Sequence, residues 1–243
     1  FRQVLNSHLG LPDIYNAFFL LLSFMFIIRL YKKPSTLAYL LVGLGLGLYF
    51  SVKYQPYVLP AFILVHLIIS WKKSKNNLLG FAVNFFSKNL LLSCFVGAIT
   101  ILIINPYHLI NFEQFQAINS YNVFKYGVGT KKLDFYPLWD LYNIGIGNFI
   151  SVGVLLGILI ALRKYTLSTI LFLVFILIFF YLLVYYTRGG YYTRNFVTVT
   201  PLLLIFTGVF VVEFCKSCFK SKVLTNTAIV LFILLISYTS IEN

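Results

Sequence analysis

Carboxylates are the scarcest chemistry in this chain. Aspartate and glutamate together number 6 in 243 residues, and charged residues of both signs make up only 10%. A soluble domain carries about a quarter charged residues, so this sequence cannot cover a water-facing surface with ionic groups. A bilayer removes that requirement. The hydrophobic share of 60% and the mean hydropathy of +0.90 point the same way. Cysteine is also sparse: Cys94 lies in an apolar run and reads as a small packing residue. Cys215 and Cys218 form a C-x-x-C without the second ligand pair of a zinc site or a thioredoxin-like context, so they read as juxtamembrane thiols open to acylation. No catalytic Ser/His/Asp set, metal constellation or Walker motif is present. Gly43, Gly45 and Gly47 fall inside an apolar segment and read as points of close helix packing rather than as a phosphate loop. Methionine occurs once, at Met25, and the chain opens on Phe1. It is expected to be the carboxy-terminal portion of a longer membrane protein, with residues 1–243 forming a single transmembrane domain.

What is abundant is apolar sequence in runs of membrane-crossing length. Eight spans are predicted, at 14–30, 37–50, 57–71, 90–105, 142–162, 167–186, 196–212 and 224–238. The predicted fold is therefore all-α: a polytopic bundle of about eight transmembrane helices with a long outer-face loop at 106–140. The apolar stretch 78–86 is too short to cross alone; it either lies in the interface or extends the fourth span through Ser87 and Lys88. Residues 112–121 read as a short helix lying on the membrane.

The formal charge of +13 sits in short clusters between apolar runs, which excludes a nucleic-acid-binding tail or basic helix face and instead sets topology. One set of loops holds Arg29, Lys32, Lys33, Lys72, Lys73, Lys75, Lys88, Arg163, Lys164, Lys216, Lys220 and Lys222, against Glu213 alone. The alternating set holds Arg2, Lys53, Lys125, Lys131, Lys132, Arg188 and Arg194, against Asp13, Glu113, Asp134, Asp140 and Glu242. The positive-inside rule assigns the first set to the cytoplasm. Carboxylate chemistry is then expected at the outer face of a multi-pass cell-membrane protein.

Three groups on that outer side carry candidate chemistry. Asp13 precedes the first span, with His8 five residues earlier. It reads either as an N-terminal helix cap or as a carboxylate aimed at an acceptor, a metal or a sugar. Lys53 and Tyr54 end the second span. Lys53 is either a snorkelling interface lysine or a point charge for a lipid phosphate. Arg188 and Arg194 bracket a Gly189-Gly190 turn with Tyr191 and Tyr192. This pattern suits two guanidinium groups around one anion and an aromatic ring against a sugar, or else an ordinary aromatic belt. Asn105-Pro106 closes the fourth span structurally, and His66, deep in the third, is expected to be hydrogen-bonded within the bundle.

Several of these segments together resemble the C-type membrane glycosyltransferases, in the branch of protein mannosyltransferases and lipid A aminoarabinose transferases. His8-Leu9-Gly10-Leu11-Pro12-Asp13 is similar to the family's His-x-x-x-Pro-Asp helix start. The glycine-rich run from Leu41 to Lys53-Tyr54 resembles its helix ending in Lys-Tyr. Ile104-Asn105-Pro106-Tyr107 is similar to its Asn-Pro-Tyr helix end, and Arg194 through Pro201 to its late Arg-Tyr-x5-Pro start, with Phe196 at an aromatic or aliphatic position. The resemblance covers roughly residues 8–210.

It implies transfer of a sugar from a polyprenyl-phosphate donor to a protein, lipid or glycan acceptor at the outer face, by inverting displacement. Asp13 would be the second acidic site residue, and Lys53 and Arg194 phosphate contacts. The family's principal carboxylate lies upstream of the Asp13 position; it has no equivalent in these residues, so either it lies before Phe1 or this protein is not active, and this stretch alone is expected to be inactive. Family members often use a divalent ion, for which this chain shows no complete ligand set. Other readings of the residues are a polysaccharide polymerase or ligase, which also takes lipid-linked substrates, and a transporter or flippase, which would place ionisable groups mid-span.

Overall fold

The computed structural model describes residues 12–53, 55–74, 77–126, 135, 138–139, 141–142, 147–182 and 193–242. Among the described residues the chain is all-helical, without strands. The helices are α1 (Pro12–Lys32), α2 (Thr36–Val52), α3 (Leu59–Lys73), α4 (Leu78–Phe85), α5 (Lys88–Ile104), α6 (Tyr107–Ile110), α7 (Phe112–Tyr126), α8 (Gly147–Lys164), α9 (Thr166–Tyr181), α10 (Thr200–Cys218) and α11 (Lys222–Glu242). Short 3-10 turns at Pro56–Val58 and Thr193–Thr198 lead towards α3 and α10. A helix stands at each of the eight predicted spans. Three stretches are long and apolar enough to cross a membrane: α1, the run Leu78–Ile104 and α10.

Helix ends follow local chemistry. Pro12 opens α1, and Pro60 and Pro201 sit in the first turns of α3 and α10, where a missing N–H costs nothing. Ser35 caps α2 by accepting from the Ala38 N–H, and Asn77 caps α4 by accepting from Leu79. Ser87 accepts from the Leu90 N–H and starts α5. Within the run Leu78–Ile104, α4 is an eight-residue helix ended at Phe86, and α5 begins afresh at Lys88. Residues 112–121 are helical as predicted, and the helix runs on to Tyr126.

The chain divides into two compact units. The amino-terminal unit comprises Tyr15–Lys132 and Val174–Gly190; the carboxy-terminal unit comprises Phe1–Ile14, Leu133–Leu173 and Tyr191–Asn243.

In the amino-terminal unit, α2 is the central packing surface. A Cβ at Gly43 would strike the Ser93 carbonyl of α5, and one at Gly47 would come within 2.6 Å of Thr100 Cβ and 2.8 Å of the Gly97 carbonyl. A Cβ at Gly45 would lie 2.9 Å from the Phe26 ring on the facing α1. The close packing predicted for these three glycines is thus present, as small residues four apart on α2 meet small residues four apart on α5. Edge-to-face pairs, Phe24 with Phe175 and Tyr57 with Phe179, fill the interior.

His66 is buried on α3, with 1% of its surface exposed. Its Nε2 lies 2.8 Å from the Phe85 carbonyl and its Nδ1 2.6 Å from the Tyr39 hydroxyl. A carbonyl only accepts, so Nε2 carries the hydrogen, and that tautomer leaves Nδ1 to accept from Tyr39. Ser70 donates to the Asn84 carbonyl at 3.3 Å. Two carbonyls that α4 leaves open at its C-terminus are therefore satisfied by side chains of α3.

The carboxy-terminal unit repeats the device. Gly153 and Gly157 of α8, again four apart, admit Thr207 and the Phe206 carbonyl of α10, and the Thr207 hydroxyl donates to the Ile150 carbonyl at 3.3 Å. Phe172 meets Phe206 edge-on. At the far end of α8, Lys164 and Lys216 both bind the Glu213 carboxylate. Cys215 is buried and Cys218 exposed, so only the second thiol is open to modification. Cys94 departs from expectation: it is exposed, because the face of α5 that packs on α2 is set by Ser93, Gly97 and Thr100.

Candidate functional site

Asp13 is the second residue of α1. It stands inside the first turn and is not the cap. A carboxylate there interacts favourably with the helix dipole, but only 2% of its surface is exposed, whereas a simple interfacial acid would remain in water. The residues at the same helical face on the next turns, Asn16, Ala17 and Leu20, are buried as well. This carboxylate therefore belongs to the packed side of an apolar helix.

The end of α2 supplies a second group. Lys53 is the residue that terminates α2; its backbone is extended and its N–H reaches the Tyr49 carbonyl at 3.4 Å. The last turn of α2 is tied down from α5: the Asn105 side-chain N–H donates to the Ser51 carbonyl at 2.8 Å. Asn105 thus caps two helix ends at once, closing α5 through its backbone and α2 through its side chain. The Gln55 N–H donates to the Lys53 carbonyl at 2.8 Å.

Polar groups that the sequence did not single out gather near the end of α2. Tyr49, fully buried on α2, faces Asn16 of α1 and Tyr57 of the following 3-10 turn. The side-chain oxygen of Gln55 is buried and has no hydrogen-bond partner among the described residues. The available signal was spacing: Asn16 lies three residues after Asp13, and Tyr49 four before Lys53, each one helical turn away.

Arg194 lies in the 3-10 turn Thr193–Thr198, before α10. Of the remaining predicted site residues, His8, Tyr54, Arg188 and Tyr191 lie outside the described residues. Among the described residues no three His, Cys, Asp or Glu side chains come together.

In the carboxy-terminal unit the chemistry on hand is the buried Asp13 carboxylate, which can accept a proton. In the amino-terminal unit it is a lysine at a capped helix end and a buried amide oxygen, which can hold an anion and bind a hydroxyl. Comparison with known protein families, with curated proteins and with solved structures finds no match for this chain.

Proposed function

We propose that this protein transfers a sugar from a polyprenyl-phosphate carrier to a hydroxyl of a protein, lipid or glycan acceptor at the outer face of a membrane. The observation that carries the proposal is Asp13, a carboxylate buried in the first turn of a helix long and apolar enough to cross a bilayer. Burying an ionisable group at such a position is costly, which makes it a functional-site candidate by default.

The proposed architecture is the eight-helix, multi-pass bundle. The shortest of its span helices, α3 with 15 residues, reaches about 22 Å, roughly three quarters of a hydrocarbon core of about 30 Å. The charge alternation assigns Asp13, Lys53 and Arg194 to the outer side.

In the proposed reaction the acceptor oxygen attacks the anomeric carbon while the bond from that carbon to the phosphate oxygen breaks. Configuration inverts, and polyprenyl phosphate leaves. The acceptor proton passes to a carboxylate. Asp13, with His8, serves as the second acidic group beside the principal carboxylate that the family resemblance implies. Lys53 holds the carrier phosphate of the bound donor, Arg194 neutralises charge developing on that phosphate as it leaves, and Arg188 joins them. Tyr54 and Tyr191 are the sugar-binding aromatics of this reading, and the Gln55 side-chain oxygen accepts a hydrogen bond from a sugar hydroxyl. The transporter reading needs ionisable groups mid-span that are open to a substrate. His66, the sequence's one residue of that kind, has both ring nitrogens engaged by Tyr39 and Phe85.

The test uses the full-length gene product in membranes, supplied with radiolabelled polyprenyl-phosphate sugars. Transfer by the wild-type protein that falls strongly in Asp13→Asn and Arg194→Ala, both still inserted, supports the proposal. Absence of transfer from every donor, or variants equal to wild type, overturns it and favours a polymerase or transporter.

A further inference from the structure

One end of the amino-terminal unit collects positive charge without a counter-ion. Arg29 and Lys32 end α1 and Lys33 follows; Lys72 and Lys73 end α3; Lys88 begins α5. All six are exposed, and none has a carboxylate partner among the described residues. Two contacts bring these helix ends together. The Lys72 ammonium lies over the Tyr31 ring, 5.0 Å from its centre, joining α3 to α1. The Thr36 hydroxyl donates to the Asn89 side chain at 3.1 Å, joining the start of α2 to the start of α5.

Beside this end lies α4. It is fastened to α3 through its C-terminal carbonyls and by the edge-on contact of Trp71 with Phe81. Its other face carries Leu78, Leu79, Val83 and the adjoining Phe86, each more than 70% exposed. A helix of 8 residues spans only about 12 Å and cannot cross a bilayer. The chain breaks at Phe86, and Ser87 caps α5 as a separate helix.

We propose that this end of the unit is a binding site for anionic phospholipid headgroups, with α4 lying in the plane of the membrane interface as its acyl-facing floor. Lipid is the occupant that matches both halves of the surface. The lysines and arginine take the phosphate, and the leucine, valine and phenylalanine side chains enter the acyl boundary. A soluble acidic partner would leave the apolar face in water, and a purely apolar partner would bury six cations. The proposal does not depend on the sugar-transfer reading.

The experiment places the full chain in nanodiscs of phosphatidylcholine with phosphatidylglycerol, then measures the lipid that remains bound by native mass spectrometry. Wild type is expected to retain phosphatidylglycerol over phosphatidylcholine. Exchanging Lys72, Lys73 and Lys88 for glutamine is expected to weaken that preference roughly fivefold per lysine, while exchange for arginine preserves it. Arg163→Gln with Lys222→Gln, in the other unit, leaves it unchanged. Equal retention of both lipids by wild type, or an equal loss in the Arg163/Lys222 variant, overturns the site. A nitroxide at Val83→Cys provides an independent reading. Collision with oxygen and with a water-soluble relaxant is expected to report headgroup depth; a water-exposed or mid-bilayer position overturns the in-plane assignment of α4.

Discussion

The hydroxyl of Tyr39 and the imidazole of His66 form a 2.6 Å hydrogen bond, and the opposite ring nitrogen donates to the carbonyl of Phe85 at 2.8 Å. One buried side chain on α3 thus joins α2 to the end of α4. Exchange of His66 for alanine removes both bonds and leaves a hydroxyl and a carbonyl to find new partners. The expected loss is about 1–2 kcal/mol, at the low end of the cost of unsatisfied buried groups because partners are available in a membrane as well. Unfolding midpoints in mixed detergent should show it, and His66→Gln, which can donate and accept, should recover part.

Glycines on α2 and α8 are expected to respond very differently from Gly208. Gly47→Ala places a Cβ against Thr100 and the Gly97 carbonyl, and Gly157→Ala places one against the Phe206 backbone. Each should cost about 1–3 kcal/mol because backbone cannot move aside as a side-chain tip can. Nothing lies within 4 Å of a Cβ at Gly208. Gly208→Ala should be neutral or stabilise by up to roughly 1 kcal/mol through helix propensity. Thermal melts of the three variants decide it.

Asn105→Ala should act at a distance on Lys53. The substitution removes the donor to the Ser51 carbonyl that holds the last turn of α2. If Lys53 binds the carrier phosphate, KM for the lipid-linked donor is expected to rise while kcat changes little. Lys53→Ala should do the same more strongly. Steady-state kinetics over donor concentration separates this from a loss of folded protein, which would lower the apparent kcat alone.

Asp13→Asn keeps shape and loses the charge. On the proposed mechanism transfer should fall about 10²- to 10⁴-fold, the range of a positioned acid–base group. Asp13→Glu, which restores the carboxylate on a longer stem, should recover a measurable fraction. An unchanged rate in both would remove Asp13 from the chemistry.

The crossing of α5 can be checked without activity. Single cysteines at Lys88 and at Glu113, in a background lacking Cys94, Cys215 and Cys218, should label from opposite faces of sealed vesicles. Labelling from the same side would mean that the run ending in α5 does not cross, and the alternation of charge would then need another explanation.

Helix positions were legible in the sequence to within a few residues, since apolar runs of sufficient length and punctuation by Pro12, Ser35, Pro60, Asn105 and Pro201 act locally. The break between α4 and α5 was left open, because an apolar run through Phe86 hides it and only the Ser87 cap and the anchoring of the α4 carbonyls by His66 and Ser70 decide it. Cys94 was misread for a related reason: every side of a membrane helix is apolar, so hydrophobicity does not say which face packs. The candidate site was legible as residue types at Asp13, Lys53 and Arg194, while Asn16, Tyr49 and Gln55 were not, since ordinary polar residues acquire meaning only from their neighbours.

By itself the sequence determined that this protein is helical, that its apolar segments suit a bilayer and that its cations alternate with those segments, because each property depends on residues close together in the chain. The tertiary structure alone decided that Gly43 and Gly47 receive the backbone of α5, that His66 serves as the terminus of α4, and that Asp13 is buried rather than bathed in water. Those outcomes depend on which distant segments meet. In a chain this uniformly apolar, small residues and the few polar groups direct that meeting, because hydrophobicity has little left to distinguish.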